Sequence, residues 1–224
     1  MNYSVLTNCN LFHSIRESEV SDILSCVKTK EVRFKKGDIL AMQGEPCNRL
    51  IFLLSGSVKA EMSDPAGKIV KVEDIHAPNP LAILFLFGKE NRFPVQTTAN
   101  EEVETLIVPR ESVLKMLMMN ETLLKNYLDI SANFASRLSR KLHLMSFRTI
   151  RQKLAIYLLE LSEATHSEII LLDKPKSVLA EYFGVSRPSL ERELSKMQQD
   201  GLIISDKRKI TIKEKNKLVQ LIRF

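Results

Sequence analysis

The hydrophobic pattern of the chain changes from strand-like to helical close to residue 110. Before that point, short apolar runs alternate with glycine-containing turns. Six of the eight prolines lie between Pro46 and Pro109, where they suit loops and sheet edges. The runs predict strands that include residues 69–75, 81–87, 96–98 and 103–108. The pattern as a whole predicts an amphipathic helix followed by an antiparallel β-roll or jelly roll.

A long helical pattern follows, from about residue 121 to residue 147, in which apolar residues recur at steps of three and four. Such a nearly heptad stripe suits a helix packed on its own domain or a helix that pairs with a copy of itself. We predict the second arrangement, in a homodimer, because closed two-fold symmetry is the commonest oligomeric form. The predicted interface residues are Leu123, Tyr127, Ile130, Phe134, Leu138 and Leu142.

Two shorter helical patterns meet at a turn between residues 176 and 201. Gly184 suits a left-handed helix end, Ser186 can cap the following helix, and Pro188 falls in the first turn of that helix. The second helix has one apolar face and one polar, cationic face. This pattern is typical of a helix-turn-helix, although an ordinary helical hairpin would show the same apolar spacing.

Residues 202–204 and 209–212 alternate around a polar turn and predict a β-hairpin, the wing of a winged helix. A short helix with Arg and Glu on its free face fits the major groove, where Arg can bond guanine and Glu can accept from cytosine. The residues predicted to contact DNA are Ser177, Ser186, Arg187, Ser189, Glu191, Arg192, Lys196, Lys207 and Arg208.

The net charge of +6 is unevenly distributed along the chain. Residues 147–224 contain 15 Lys or Arg and 10 Asp or Glu, whereas residues 1–119 contain 14 and 15. The positive charge therefore lies in the part that carries the helix-turn-helix, which suits a phosphate-binding surface.

The sequence contains no recognisable motif of an enzyme active site or a metal site. The four histidines have no zinc-type spacing, and neither a Ser-His-Asp arrangement nor a glycine-rich phosphate loop is recognisable. Cys9, Cys26 and Cys47 lack CxxC spacing and are fewer than the four thiolates of a common iron–sulfur centre. We therefore predict no enzyme activity, no metal site, no iron–sulfur cluster and no disulfide framework.

A membrane or secreted location is also not expected. The longest apolar run, residues 81–87, is far shorter than the roughly 18 residues of a membrane helix. The N-terminus has no basic segment followed by an apolar one, so no secretory leader is recognisable. These features predict a cytoplasmic protein without a membrane partner.

The run LAEYFGVSRPSLERELSKMQQDGLI resembles the DNA-binding helices of the Crp/Fnr family of bacterial transcription regulators. Independently, FKKGDIL, QGE and LIFLLSGSVK resemble the cyclic-nucleotide-binding β-roll of that family, in the family's order. The resemblance implies an α+β protein with a β-roll sensor at 1–119, a long dimerisation helix at 120–146 and a winged helix-turn-helix at 147–224. It also implies double-stranded DNA with a pseudo-palindromic operator, RNA polymerase and a small-molecule effector as partners.

The segment that corresponds to the family's phosphate cassette departs from the cyclic-nucleotide-binding pattern. Asn79-Pro80 stands near the place of a Gly-Glu pair, and Phe93-Pro94 near the place of an Arg-Ser or Arg-Thr pair. Because the charge-assisted bonds to a cyclic phosphate are then missing, we predict no tight cAMP binding. The apolar segment suits a haem, a small apolar ligand or a filled core. The predicted effector pocket consists of Leu81, Leu84, Phe85, Arg92 and Phe93.

The motif NPLAILFLFG…NRFPV also resembles regulators of the HcpR kind within the same family. That resemblance implies a response to nitrosative stress and the use of haem. His76, Cys47 or a Met could be an axial ligand by its chemistry, although a lone His before a proline-rich loop is more often structural. The alternative from another class is an enzyme or ligand-binding protein whose helical C-terminal part is an oligomerisation module.

Overall fold

The computed structural model describes residues 3–222, and the chain forms two compact units that divide after Phe134. The first unit contains, in chain order, two 3₁₀ turns (Tyr3–Asn8, Asn10–Phe12), α1 (Glu17–Ser25), β1 (Lys30–Phe34), β2 (Ile39–Ala41), β3 (Arg49–Ser55), β4 (Ser57–Ser63), β5 (Ile69–His76), β6 (Pro80–Leu81), a 3₁₀ turn (Ile83–Phe85), β7 (Gln96–Ala99), β8 (Val103–Pro109) and α2 (Arg110–Met119). Helix α3 (Glu121–Ser146) begins in the first unit and ends in the second.

The strands of the first unit form two antiparallel sheets of four strands each, in the orders β1-β8-β3-β6 and β2-β7-β4-β5. Their apolar side chains meet in one core, where Phe12, Phe52 and Phe93 are fully buried. The rings of Phe12 and Phe52 lie 5.6 Å apart between centroids. This architecture confirms the predicted β-roll.

Gly56 makes the tight connection between β3 and β4. Its φ of +77° is a conformation that L side chains rarely adopt, and an added Cβ would lie 2.6 Å from the carbonyl oxygen of Glu102. Only glycine therefore fits this turn without a shift of the backbone.

The strand predicted at residues 81–87 is wrong. Only Pro80–Leu81 pairs, with β3, and a 3₁₀ turn follows after Ala82, which has a left-handed conformation. The buried residues of this run are Leu81, Ile83 and Leu86, so their spacing does not alternate as on a strand. An apolar run of this length does not by itself distinguish a strand from a buried turn.

The second unit contains, after the end of α3, helix α4 (Ile150–Thr165), β9 (Ile169–Leu171), α5 (Lys176–Phe183), α6 (Arg187–Gln199), β10 (Ile203–Asp206), β11 (Lys209–Ile212) and α7 (Lys215–Ile222). The wing predicted by the sequence is present as β10 and β11, paired from Ile203 with Ile212 to Asp206 with Lys209. Strand β9, which the sequence pattern did not predict, pairs with β11 and completes an antiparallel sheet. The fold is therefore a winged helix-turn-helix.

Candidate nucleic-acid interface

The turn between α5 and α6 has the geometry that its sequence predicts. Gly184 has a φ of +69°, and its N–H donates to the carbonyl of Glu181 at 3.0 Å. The N–H of Val185 donates to the carbonyl of Ala180 at 3.0 Å, which completes a Schellman motif. This motif ends α5 sharply and sets the direction in which α6 begins.

Two lysines from other helices contact the C-terminal end of α5. Lys141 of α3 donates to the carbonyl of Tyr182, and Lys153 of α4 donates to the carbonyl of Phe183 at 3.0 Å. Cations are favourable at a helix C-terminus because the last carbonyls lack partners and carry partial negative charge. Sequence reasoning missed both lysines, because no local pattern connects them to α5.

Ser186 caps the N-terminus of α6 as the sequence predicts. Its side-chain oxygen accepts from the N–H of Ser189 at 3.3 Å, and the hydroxyls of the two serines lie 2.8 Å apart. Pro188 lies in the first turn, where a helix needs no N–H donor. The cap therefore stabilises the end of α6 that adjoins the turn.

The free face of α6 is defined by the stripe that it buries. Leu190, Leu194 and Met197 are at most 2% exposed and belong to the core of the second unit. At 100° per residue, Arg192 lies on the opposite side of the helix, and it is exposed. The other predicted contacts lie on the flanks, with Arg187 and Glu191 on one side and Ser189 and Lys196 on the other.

Arg187 and Glu191 are paired with each other. Nε of Arg187 donates to Oε1 of Glu191 at 3.0 Å, one turn along the helix. Both side chains are largely exposed, so this pair contributes little to stability and can exchange for other partners. Arg192, in contrast, forms no ion pair with any residue between 3 and 222.

Arg151 of α4 ties α6 to the body of the second unit. Its Nε donates to Oε1 of Glu193 at 2.6 Å, and its Nη1 lies 2.7 Å from Oδ2 of Asp200. The bond to Glu193 raises the pKa of this guanidinium further, so the group stays charged. Arg151 therefore fixes both the middle and the end of α6. The sequence carried no signal for this, because Glu193 and Asp200 are 42 and 49 residues away along the chain.

The wing places Lys207 and Arg208 at its two-residue tip. Lys207 is exposed and has a left-handed φ of +50°. Arg208 is exposed too, but its Nη2 donates to the carbonyl of Leu172 at 2.7 Å. One donor of Arg208 is thus already used to hold the wing. The side chain of Gln198 in α6 accepts from the N–H of Ser205 in β10 at 2.7 Å.

Comparisons with known proteins agree with this geometry. Residues 31–120 match the family model of the cyclic nucleotide-binding domain, and residues 152–221 match that of the Crp-like helix-turn-helix domain. The chain belongs to the Crp/Fnr family. It is a Crp/Fnr-like transcription regulator that carries both of these domains.

Several transcription regulators are similar to this Crp/Fnr chain over more than half of its length. The global nitrogen regulator of Nostoc sp. is 26% identical over 186 residues, which cover 80% of this chain and 83% of the relative. A transcriptional regulator of Thermotoga maritima is 32% identical, with a TM-score of 0.50, and covers 55% of this chain and 94% of its own. The catabolite activator protein of Thermus thermophilus is 21% identical, with a TM-score of 0.56 and coverage of 95% and 98%, and shares the fold.

The predicted effector residues of this Crp/Fnr chain do not form one open pocket. Leu81 and Phe93 are 1% exposed and belong to the packed core, while Leu84 and Phe85 pack against it and are half-buried. Arg92 is exposed, and its Nη1 donates to the carbonyl of Gly44 at 2.6 Å. The guanidinium of Arg92 is therefore held at the surface, whereas Leu81 and Phe93 of the same predicted pocket are packed in the core.

Two of the residues considered as haem ligands, His76 and Cys47, lie in different surroundings. His76 is exposed at the end of β5, and Leu81 and Phe93 of the predicted effector pocket are packed into the core. Cys47 is fully buried, and burial raises the pKa of its thiol to about 11. Within residues 3–222 no group of three or more His, Cys, Asp or Glu side chains could hold a metal ion.

No helix between residues 3 and 222 is long and apolar enough to cross a membrane.

The first half of the predicted dimer stripe packs inside its own protomer. Leu123 is fully buried in the core of the first unit, and Tyr127 and Ile130 pack against that core. The ring of Tyr127 lies 5.8 Å from that of Phe87, and Asn126 donates to the carbonyls of Leu11 and His13 at 2.9 and 2.8 Å. Leu123 is therefore unavailable to a partner, which corrects its assignment to the dimer interface.

A second apolar stripe of α3 is exposed instead. Leu124 and Leu128 are 39% and 56% exposed, and farther along the helix Phe134, Leu138 and Leu142 are 37%, 49% and 60% exposed. The first two residues are next to the predicted ones, so the free stripe is displaced by one residue in the first half of the helix. Leu124, Leu128, Leu138 and Leu142 occupy heptad positions of one stripe, and Phe134 lies beside it.

Proposed function

We propose that this protein binds a pseudo-palindromic DNA operator as a homodimer, with α6 of each protomer in a major groove. The observation that carries the proposal is the free face of α6, where Arg192 projects away from the buried stripe. Arg151 and the Ser186 cap hold this helix at its middle and at both of its ends. A rigid helix with one unpaired guanidinium on its outer side is suited to bidentate bonding of guanine.

The remaining α6 residues divide between base reading and phosphate contact. Glu191 and Arg192 set sequence preference, since Glu can accept from cytosine and Arg can bond guanine. Arg187 and Ser189 contact phosphates or flanking bases. Because Arg187 pairs with Glu191 in the free protein, DNA binding exchanges this contact for one with the operator. Lys196 lies on the flank that carries Ser189 and meets the backbone from there.

Helix α5 and the wing contact phosphates on either side of the groove. Ser177 is exposed in the first turn of α5, where free N–H groups and a hydroxyl favour an anion. Lys207 is exposed at the wing tip. One N–H group of Arg208 donates to the carbonyl of Leu172, and its other N–H groups are available to a phosphate. These contacts position the helix and make binding depend on salt concentration.

The dimer forms through the exposed stripe of α3. Leu124, Leu128, Leu138 and Leu142 of each protomer bury their exposed area against the partner helix. Two-fold symmetry then places the two α6 helices in successive major grooves, about 34 Å apart. RNA polymerase is the protein partner that we expect for the bound dimer.

The sensor roll responds to a small molecule other than cAMP. Asn79 uses its amide to donate to the carbonyl of His76 at 2.9 Å, and Arg92 is held by Gly44, so neither supports a cyclic phosphate. The hydroxyl of Thr97 is buried and has no hydrogen-bond partner within residues 3–222. An effector that bonds this hydroxyl would relieve an unsatisfied polar group. Calorimetry with cAMP is expected to show no binding, and micromolar affinity would contradict this part of the proposal.

Selection of DNA from a random pool, followed by fluorescence anisotropy, tests the proposal as a whole. We expect a palindromic sequence whose affinity falls steeply with salt. Arg192→Ala should relax the preference at one base pair of each half-site and cost about 1–3 kcal/mol there. Uniform weakening on all sequences would make Arg192 a phosphate contact. Failure to select any DNA would support the rival class, a ligand-binding protein with a helical oligomerisation module.

A further inference from the structure

The second unit contains a cavity that its DNA-reading face does not use. Its volume is about 370 Å³, and it lies between the C-terminal part of α3, the middle of α4, the residues before α5, and α5 itself. In the part of the chain that the structure describes, α6 and the wing contribute none of its lining residues. The cavity therefore has no role in the proposed contacts with DNA.

Two guanidinium groups face this cavity and have no partner among the described residues. Arg137 and Arg140 lie one turn apart on α3, and both are exposed. Neither forms an ion pair or a side-chain hydrogen bond with any residue between 3 and 222. Two neighbouring Arg side chains offer planar pairs of donors that match the oxygens of a carboxylate or a phosphate.

The other charged groups of the cavity leave it attractive to an anion. Asp173 accepts from the hydroxyl of Tyr157 and from Lys174, so its charge is already compensated. Burial, and then the bond to Asp173, raise the pKa of Tyr157, which stays neutral. Glu160 is the lining carboxylate that forms no ion pair with the described residues. Its single negative charge is opposed by the positive charges of Arg137 and Arg140, so the net charge of the cavity lining is positive.

The remaining walls of the cavity suit a small organic body. Leu161 and Ala164 of α4 line it together with the ring of Tyr182. This ring is held by Lys141, whose Nζ lies 4.6 Å from the ring centroid, and by Lys174 at 5.6 Å. The volume lies at the lower end of the range for small-molecule sites.

We propose that this cavity binds a small organic oxyanion, a carboxylate or phosphate monoester with an apolar body, through Arg137 and Arg140. The oxyanion bridges the two guanidinium groups, and the apolar body lies against Leu161 and Tyr182. Because Tyr182 belongs to the first helix of the helix-turn-helix, an occupied cavity connects α3 to that helix. This site is separate from the sensor roll and stands independently of the operator.

Titration calorimetry of the full chain tests the site with phenyl phosphate, benzoate, inorganic phosphate and neutral benzyl alcohol as probes. We expect phenyl phosphate or benzoate to bind, and the aromatic anion that binds identifies the class of oxyanion. Inorganic phosphate should bind at least tenfold more weakly than phenyl phosphate, and benzyl alcohol should not bind. Equal binding of the two phosphates would overturn the role of the apolar wall, and absence of binding by both aromatic anions at millimolar concentration would overturn the site.

Variants locate the binding. Arg137→Gln combined with Arg140→Gln should weaken the bound anion at least tenfold, whereas Arg148→Gln, an exposed Arg that does not line the cavity, should leave it unchanged. Glu160→Gln should strengthen binding about threefold, because a repelling carboxylate is removed. All four substitutions are at exposed positions, so circular dichroism should show folded proteins. Equal affinity of the double variant and the wild type would place the anion elsewhere.

Discussion

The exposed stripe of α3 predicts which truncations weaken the dimer. Leu128→Ala and Leu142→Ala each remove a side chain that is more than half exposed in the single protomer, 56% and 60% respectively. Ile130→Ala, in contrast, removes a side chain that packs against the sensor core. The first two changes should therefore act on dimerisation, and the third on the stability of the sensor.

The expected size follows from the exposed area of the leucines. Full burial of a Leu side chain contributes about 1.5–3 kcal/mol, so burial of slightly more than half contributes about 1–2 kcal/mol. An alanine side chain retains part of this burial free energy, so each substitution costs about 1 kcal/mol of dimerisation free energy per protomer. Each dimer contains two copies, and a loss of about 2 kcal/mol raises the dimer dissociation constant about 30-fold.

Sedimentation equilibrium measures this constant for the wild type and the variants. Leu171→Ala is a matched control, because Leu171 is 69% exposed on β9 and lies outside α3. We expect it to leave the constant unchanged, while Ile130→Ala lowers the melting temperature of the sensor. If Leu128→Ala and Leu142→Ala dimerise as tightly as the wild type, the stripe is not the interface and the reasoning is refuted.

Four further predictions concern stability and reactivity. Arg151→Met should destabilise the second unit by about 1–2 kcal/mol in urea denaturation, because Glu193 and Asp200 lose their shared partner. An unchanged urea midpoint would show that the contacts of Arg151 do not stabilise this unit. Gly56→Ala should lower the melting temperature of the first unit, whereas Gly67→Ala, whose Cβ meets nothing within 4 Å, should lower it less. Iodoacetamide at pH 8 should label exposed Cys26 first. Equal labelling of native and unfolded Cys47 would contradict the burial of this thiol. Stability should fall above about pH 9, because the Cys47 thiol ionises near 9 when unfolded but near 11 when folded; a urea midpoint that is the same below pH 9 and above it would contradict this.

Local sequence was sufficient for the helix-turn-helix. Gly184 ends α5 because its missing Cβ allows the left-handed conformation, and Ser186 caps α6 because its side chain reaches the N–H of Ser189. Both effects act over three or four residues and are visible in the sequence. The buried stripe of α6 could be predicted for the same reason, and with it the side on which Arg192 lies.

The partners of the charged side chains could not be predicted from local pattern. Arg151 meets Glu193, Arg208 meets Leu172, and Arg92 meets Gly44, in each case across more than 30 residues. These contacts form only after the helices and strands have packed. They decide which predicted cations remain free for a phosphate or an effector.

The sequence by itself determined the two domain types, the long helix between them and the residues of the recognition helix. Only the tertiary structure decided which side of α3 is free. Leu123 and Leu124 are adjacent, about 100° apart on the helix, and each begins a stripe at steps of three and four. The sensor core takes the stripe of Leu123 and leaves that of Leu124 exposed. The periodicity of one helix cannot distinguish the two, because the choice depends on what the rest of the chain packs against it.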